Sequence, residues 1–433
     1  MEQPITLHSR PSIENEAFRR YAENLVEIER DFHQAIGSLG LAVSNEGDDF
    51  EERVRRLRDL GVSIGNDCKS FHVGWISPAC MACRKGVGTE TFLTSTQCPR
   101  SCFFCFNPNQ DDYEYGLSHV NDIAGRLRAR VEQGARYAQL GITGGEPLLH
   151  ADVVLGFLDA ARTLAPDARV RLYTSGAGLT EELAYDLAEA SLHEVRFSVK
   201  LDEPRSSLDR TLAHIGMCTN LFDAVMVEMP VMPDQVDAMK ELLLRLDNLG
   251  VRAINLLELC FPFHNADEFS RRGYCLKRRP YRVPYEYWYA GGLPIAGSES
   301  ACFDLLEFAV HKELHMGIHY CSLENKLSGQ VYQQNRFIQF DSACHEQSSD
   351  DFFLKSAKVF GADRAPARAY LESIGERALL ESDEHDYLEF PIGRVASLAA
   401  ALPATEICIS TSIAEVREGR PVIRELAIAK WVC

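Results

Sequence analysis

Between Thr89 and about Phe263 short apolar runs alternate with longer amphipathic segments, and this alternation leaves few folds open. The runs at 90–97, 139–144, 169–175, 194–200, 223–230 and 253–260 read as strands. The segments at 121–137, 151–164, 180–191, 207–216 and 235–249 read as helices. Strand and helix in strict alternation build a parallel sheet of the α/β class. Asn121 and Thr180 suit helix N-caps, and Gly250 suits a C-terminal cap. In such β/α units ligands gather at the C-terminal ends of the strands. The residues just after each run are therefore the ones to read for chemistry.

Two strand ends stand out. The first is followed by Cys98-Pro-Arg-Ser-Cys102-Phe-Phe-Cys105. Three thiolates can hold three corners of a [4Fe–4S] cluster, whose closed ligand count is four. The missing fourth leaves one iron with an open position, as catalytic metal sites keep. A structural zinc site is the alternative, but zinc sites usually pair one C-x₂-C with another. The second strand ends in Gly141-Ile-Thr-Gly-Gly-Glu-Pro147. Its glycines let backbone approach a ligand closely, and its Glu can accept from an ammonium group. Alone, Gly-Gly-Glu-Pro is a tight turn.

Together the two motifs resemble those of the radical S-adenosylmethionine (SAM) enzymes. The resemblance implies a partial six-unit (β/α) barrel, TIM-like in form. It implies that the open iron takes the amino and carboxylate groups of SAM. An electron then cleaves SAM to methionine and a 5′-deoxyadenosyl radical. Phe104 matches an aromatic position near the adenine. Gly144, Gly145, Glu146 and Pro147 match the motif that holds SAM's amino group. The resemblance is closest to proteins related to pyruvate formate-lyase activating enzyme, over 85–265. It extends more weakly to His319-Tyr-Cys-Ser322 and Lys326. In that branch a lysine near Lys200 pairs with SAM's carboxylate, and a histidine near His264 meets the ribose and adenine. Ser198 lies on the same strand face as Lys200; a lysine there can also simply snorkel to solvent. A low-potential electron donor such as flavodoxin or ferredoxin is implied. True activating enzymes are much shorter than this chain and lack its N-terminal cap, extra C-x-x-C and long tail, so the resemblance leaves glycyl-radical activation open. The substrate is a peptide or protein, or a small molecule, and the extra domains favour the former.

A second metal site is suggested by Cys80-Met-Ala-Cys83. His319 and Cys321 are two apart on one predicted strand and so share a face. The four would make a Cys₃His tetrahedron suited to zinc. Half of an auxiliary iron–sulfur site and a redox pair stay open. Cys68, Cys260, Cys275, Cys302 and Cys344 are rival fourth ligands.

Four domains are expected: a helical cap over 1–84, a core over 85–265, an extension over 266–344 and an α+β domain over 345–433. The cap reads as helices Ser12–Ile36 and Glu51–Leu60. The extension holds a basic loop, Arg271–Arg282, and the aromatics Tyr285, Tyr287, Trp288 and Tyr289, expected at the mouth. Gly419-Arg-Pro421 marks a hairpin between the last two strands, and Cys433 is a candidate free thiol. The net charge of −18 argues against nucleic acid as a partner. No run of about eighteen apolar residues suggests a membrane span. The N-terminus lacks a secretory pattern, and clustered cysteines suit a reducing, cytoplasmic setting. The rival function is a non-catalytic zinc-binding interaction protein. An electron carrier would normally offer four cysteines per cluster.

Overall fold

The computed structural model describes every residue except Met1, His8, 46–48, Asp111, 279–291, 339–341 and Cys433, and only the backbone of Phe337. Contacts divide the chain into two compact units, residues 40–329 and residues 1–39 with 330–433.

The larger unit is built on a nine-stranded sheet. Its strands are β1 (Ser63–Gly65), β2 (Ser70–Val73), β3 (Thr89–Leu93), β4 (Gln139–Thr143), β5 (Arg169–Thr174), β6 (Glu194–Phe197), β7 (Ala224–Val231), β8 (Ala253–Glu258) and β9 (Gly317–Cys321). Their order is β1-β2-β9-β8-β7-β6-β5-β4-β3. All pairs from β9 to β3 are parallel, and β1 and β2 add antiparallel at one edge. The six expected strands are present, and β9 continues them.

Side chains alternate across the sheet, as the period of two requires. One face sends Phe92, Leu140, Leu172, Phe197, Val227, Ile254 and Tyr320 into an apolar core with the crossover helices. These helices are α1 (Ile123–Glu132), α2 (Ala151–Leu164), α3 (Glu181–Glu189), α4 (Arg205–Cys218) and α5 (Val236–Asn248). Burial of each large side chain stabilises the unit by roughly 1.5–3 kcal/mol. The positions between carry Arg171, Tyr173, Glu194, Arg196, Glu228, Asn255 and His319, which join one another across the opposite, polar face.

The helix ends follow local chemistry. Thr180 caps α3, accepting from the Leu183 N–H at 3.1 Å. Asp122, not Asn121, caps α1 by accepting from the Gly125 N–H at 2.8 Å. Asn121 instead donates its amide to the Leu93 carbonyl at 2.9 Å, tying α1 to β3. β6 stops at Phe197, short of the expected 200, and the Ser198 carbonyl accepts from Arg100 at 2.9 Å.

The smaller unit corrects the expected domain boundaries. Its sheet runs Glu2–Ile5, Arg420–Trp431, Cys408–Arg417, Leu354–Phe360, Tyr387–Phe390, Leu380–Ser382, with Glu346–Gln347 beside Leu354–Phe360. Every pairing is antiparallel. Helix Glu16–Gly37 lays Ala17, Phe18, Ala22 and Val26 against Phe360, Cys408 and Ile428 of this sheet. The first 39 residues thus belong with the tail and not to a cap over 1–84. An amphipathic helix needs an apolar partner, and its own stripe does not say which. The hairpin after Arg417 turns through Glu418 and Gly419, both with positive φ, as a two-residue turn requires. The face toward that first helix also buries Lys358, which meets Glu425 at 2.6 Å and the Tyr21 hydroxyl at 2.9 Å.

In the basic loop, Arg272 pairs with Glu268 at 2.8 Å, and Lys277 with Glu258 at 3.0 Å and Glu299 at 2.8 Å. The loop's last residues, with Tyr285, Tyr287, Trp288, Tyr289 and Cys433, lie outside the described residues. Among those described, no helix is long and apolar enough to cross a membrane.

Phe18 stacks on Phe360 with ring centroids 4.9 Å apart. Phe18→Ala should cost the smaller unit about 3–5 kcal/mol. Native-state hydrogen exchange of the Leu354–Phe360 amides would show it; unchanged protection would separate the helix from this sheet.

Candidate active site

The tails of β3 and β4 run together beyond the sheet. The Thr94 N–H donates to the Thr143 carbonyl at 2.8 Å, Gly145 N–H to Ser95 at 2.8 Å, and Glu146 N–H to Gln97 at 2.7 Å. Such close approach explains the glycines. A Cβ on Gly145 would fall 2.1 Å from the Gln97 carbonyl oxygen, and one on Gly144 would fall 2.6 Å from that of Ser95. The close neighbour of both glycines is therefore the chain leading into the cysteine loop.

Glu146 is fully buried and ties β4 to β5. Its carboxylate accepts from the Ser175 N–H at 2.6 Å, the Thr174 hydroxyl at 2.7 Å and the Leu148 N–H at 3.1 Å, and also from the Ser175 hydroxyl. Within the chain its carboxylate is thus met by four donors. Pro147, also buried, opens the short turn after it.

Cys98 is exposed, and Cys102 and Cys105 are half-buried. Partial burial pushes the Cys98 and Cys105 thiols above their ordinary value, and the neighbouring thiols push the same way. A cation bound by these sulfurs would act in the opposite direction and favour the thiolates. Among the described residues no three His, Cys, Asp or Glu side chains converge as ligands of one ion. A cluster asks something different, since each thiolate takes its own iron.

Residues beyond β5, β6 and β8 pin this loop. Arg100 donates to the Ser198 carbonyl at 2.9 Å and the Thr211 hydroxyl at 3.3 Å, and pairs with Glu203 at 3.3 Å. His264 Nε2 meets the Cys105 carbonyl at 2.8 Å, so that nitrogen donates. Asn265 donates to the Phe103 carbonyl at 3.0 Å. His264 is thus a clamp on the loop, where the resemblance implied a ribose contact. Lys200 lies 5.9 Å from the Phe104 ring centroid and 3.6 Å from Glu203, and its charge bears on Cys105. Phe104, Lys200 and the cysteines therefore meet at one mouth. Ser198 contributes its backbone there, and its side chain is exposed.

Cys80 lies within and Cys83 ends a short helix, Pro78–Cys83, whose Cys80 meets the polar face. The Cys80 sulfur accepts from Asn255 at 3.3 Å and Arg196 at 3.5 Å. His319 does not join them as a ligand. Its Nε2 meets the Ser70 hydroxyl at 2.9 Å, and its Nδ1 meets the Asn255 amide oxygen. The Cys321 sulfur accepts from the Asn325 amide at 3.2 Å. Of the rival ligands, Cys302 lies in the apolar core and Cys344 donates to the Ala378 carbonyl.

The roles of Arg100, Asn265, Thr174 and Ser175 were missed in the sequence, because Arg100 and Asn265 reach carbonyls far along the chain and Thr174 and Ser175 donate to the distant Glu146 carboxylate. The polar face was legible in principle: Arg171-x-Tyr173 and Glu194-x-Arg196 place charges two apart within apolar strands, an arrangement that marks an enclosed polar side.

Comparison with known proteins bears on this stretch directly. Residues 92–247 match the model of the Radical SAM superfamily. A protein of Methanocaldococcus jannaschii, named provisionally as a glycyl-radical enzyme activating enzyme, is 28% identical over 277 residues, 60% of this chain and 66% of that protein. A PqqA peptide cyclase of Streptomyces rochei is 35% identical over 111 residues, 25% of this chain and 28% of the cyclase. The chain thus spans less than two thirds of the curated relatives it matches. Among solved structures, Streptococcus suis SuiB bound to S-adenosylmethionine is 11% identical, with a TM-score of 0.40 over 74% of this chain and 71% of that one.

Glu146→Ala would strand four buried donors. It should lower stability by on the order of 3 kcal/mol in urea unfolding, and an unchanged midpoint would remove the brace from the account. His319 gives a pH test. Burial pushes its pKa from 6.5 down to about 4, so the folded chain resists protonation. Stability should hold above about pH 6.5 and fall as pH drops toward 4, by about 3 kcal/mol. His319→Gln should flatten that slope; an equally steep slope would assign it to other groups.

Proposed function

We propose that this chain is a radical SAM enzyme holding a [4Fe–4S] cluster on Cys98, Cys102 and Cys105. The observation that carries the reading is their position. Within the stretch that matches the Radical SAM superfamily, three cysteines alone sit in a loop clamped at the C-terminal ends of parallel strands, beside Gly144–Pro147. Thiolates are the donors that such clusters take, and three of them leave an iron open. With cluster and SAM bound, this chemistry supplies a 5′-deoxyadenosyl radical that abstracts hydrogen from a substrate.

The chain's own residues bind, orient and shield. Glu146 and the two glycines fix the backbone of the β4 tail, whose carbonyls face the SAM amino group in this reading. Lys200, with Phe104 beneath it, offers a positive charge for SAM's carboxylate. Arg100, His264 and Asn265 hold the cysteine loop still, which keeps the three sulfurs in register. The sheet curves as a partial barrel, and its polar face lines the substrate space. A low-potential donor such as flavodoxin or ferredoxin supplies the electron, in a reducing cytoplasmic setting. The named activities of the M. jannaschii protein and the cyclase support a peptide or protein substrate. No metal is assigned to Cys80 and Cys83, because Cys80 is engaged by Arg196 and Asn255 and His319 is committed elsewhere.

Each of Cys98→Ala, Cys102→Ala and Cys105→Ala should abolish 5′-deoxyadenosine release from SAM under a strong reductant. Release retained in any one of them would refute that ligand.

A further inference from the structure

Two phenylalanines stand side by side in the cysteine loop, and the structure gives them different neighbours. Phe104 lies near Lys200. Phe103 is met by the segment that follows β8. Its carbonyl accepts from the Asn265 amide at 3.0 Å. Its ring meets Phe269 edge-on, with centroids 5.0 Å apart, and the Tyr274 ring lies 6.5 Å away. Phe269 is fully buried and packs in turn on Phe261, at 5.3 Å. The Arg272 guanidinium sits over the Phe103 ring, 4.3 Å from its centre. At that distance the negative face of the ring attracts a cation.

Arg272 is itself held in place. Its Nε donates to Glu268 at 2.8 Å, and its Nη2 lies 3.6 Å from Asp202, beyond β6. A planar guanidinium can meet acids at its edge while its face rests on a ring. The Tyr274 hydroxyl donates to Asp234, beyond β7. The short helix Ala266–Arg271 and the residues after it are thus fastened to the chain beyond β6 and β7, and in the cysteine loop they grip Phe103. Phe103 lies inside the turn from Cys102 to Cys105, which is closed by the Cys105 N–H donating to the Cys102 carbonyl at 3.1 Å. A ring held there holds the main chain between the two sulfurs.

We propose that Arg272 and Phe103 are positioning residues for the cluster. Their contact keeps the Cys102–Cys105 turn closed, so that its two sulfurs hold their spacing and bound iron leaves slowly. The inference rests on the reading of Cys98, Cys102 and Cys105 as cluster ligands. It gives the adjacent aromatics separate tasks, Phe104 toward SAM and Phe103 toward retention of the metal.

The full-length protein is reconstituted with iron and sulfide without oxygen, then given an excess of a phenanthroline-type ferrous chelator whose colour reports iron loss. Arg272→Gln keeps much of the stem and removes the charge. It should speed iron loss by on the order of tenfold, as removal of one partly shielded cation–π contact allows. Phe103→Leu keeps apolar bulk against Phe269 and should act alike. The double variant should lose iron no faster than either single one, because both remove the same contact. Arg272→Lys should stay close to the parent, since an ammonium also rests on a ring. An unchanged rate in Arg272→Gln, or effects that multiply in the double variant, would overturn the proposal. The protein without iron gives a separate reading. Hydrogen exchange of the peptide holding Cys102–Cys105 should quicken in Arg272→Gln while the β8 amides stay protected. Exchange equal to the parent's, or protection lost equally from β8, would overturn the positioning role. Failure of the parent to take up iron and sulfide would remove the cluster reading alone, and the exchange would still decide whether Arg272 holds the loop.

Discussion

A single buried carboxylate, that of Glu146, joins the second and third parallel strands of the domain where they leave the sheet. It accepts four hydrogen bonds, from Thr174, Ser175 and Leu148. Unmet buried donors are costly, and that cost makes the joint specific. The same turn lays its glycines against the chain from Thr94 to Gln97, and no other residue has a side chain small enough to allow it. The cysteine loop begins at the next residue. Its position therefore follows from backbone contacts that side chains would forbid.

Beyond this joint the loop is held by its surroundings. Arg100 reaches out from it to the ends of β5 and β6, and His264 and Asn265 reach in from beyond β8. These contacts end on carbonyl oxygens, and Phe263 and Asn265 adopt positive φ to make the inward ones possible. A loop fixed by its backbone leaves its three sulfurs unencumbered. That arrangement suits a prosthetic group better than a packed structural turn would.

Much of the larger unit was legible in the sequence. Period-two and period-3.6 patterns alternate so regularly that all six strands and five helices are present, although β3 ends at Leu93, β6 at Phe197 and α1 at Glu132, short of the expected 97, 200 and 137. Cys98, Cys102 and Cys105 declare themselves by spacing, and Gly144–Pro147 by following a strand. What was not legible depends on pairing at a distance. The stripe on Glu16–Gly37 says that the helix is buried, but not that its partner lies more than three hundred residues on, at Phe360. His319 and Cys321 share a face with period two, as expected, yet Ser70 and Asn255 occupy the imidazole first. Glu146 is marked in the sequence by the order of its motif, and its partners at Thr174 and Ser175 are visible only in three dimensions.

The central claim is that three cysteines hold one cluster while Cys80 and Cys83 remain thiols. Iron, acid-labile sulfide and zinc per chain, counted after anaerobic reconstitution, test it most directly. About four irons and four sulfides, with zinc well below one, is the predicted result. Sulfide that stays absent after reconstitution would contradict the cluster. About eight irons, or one full zinc, would contradict the thiol assignment of Cys80 and Cys83.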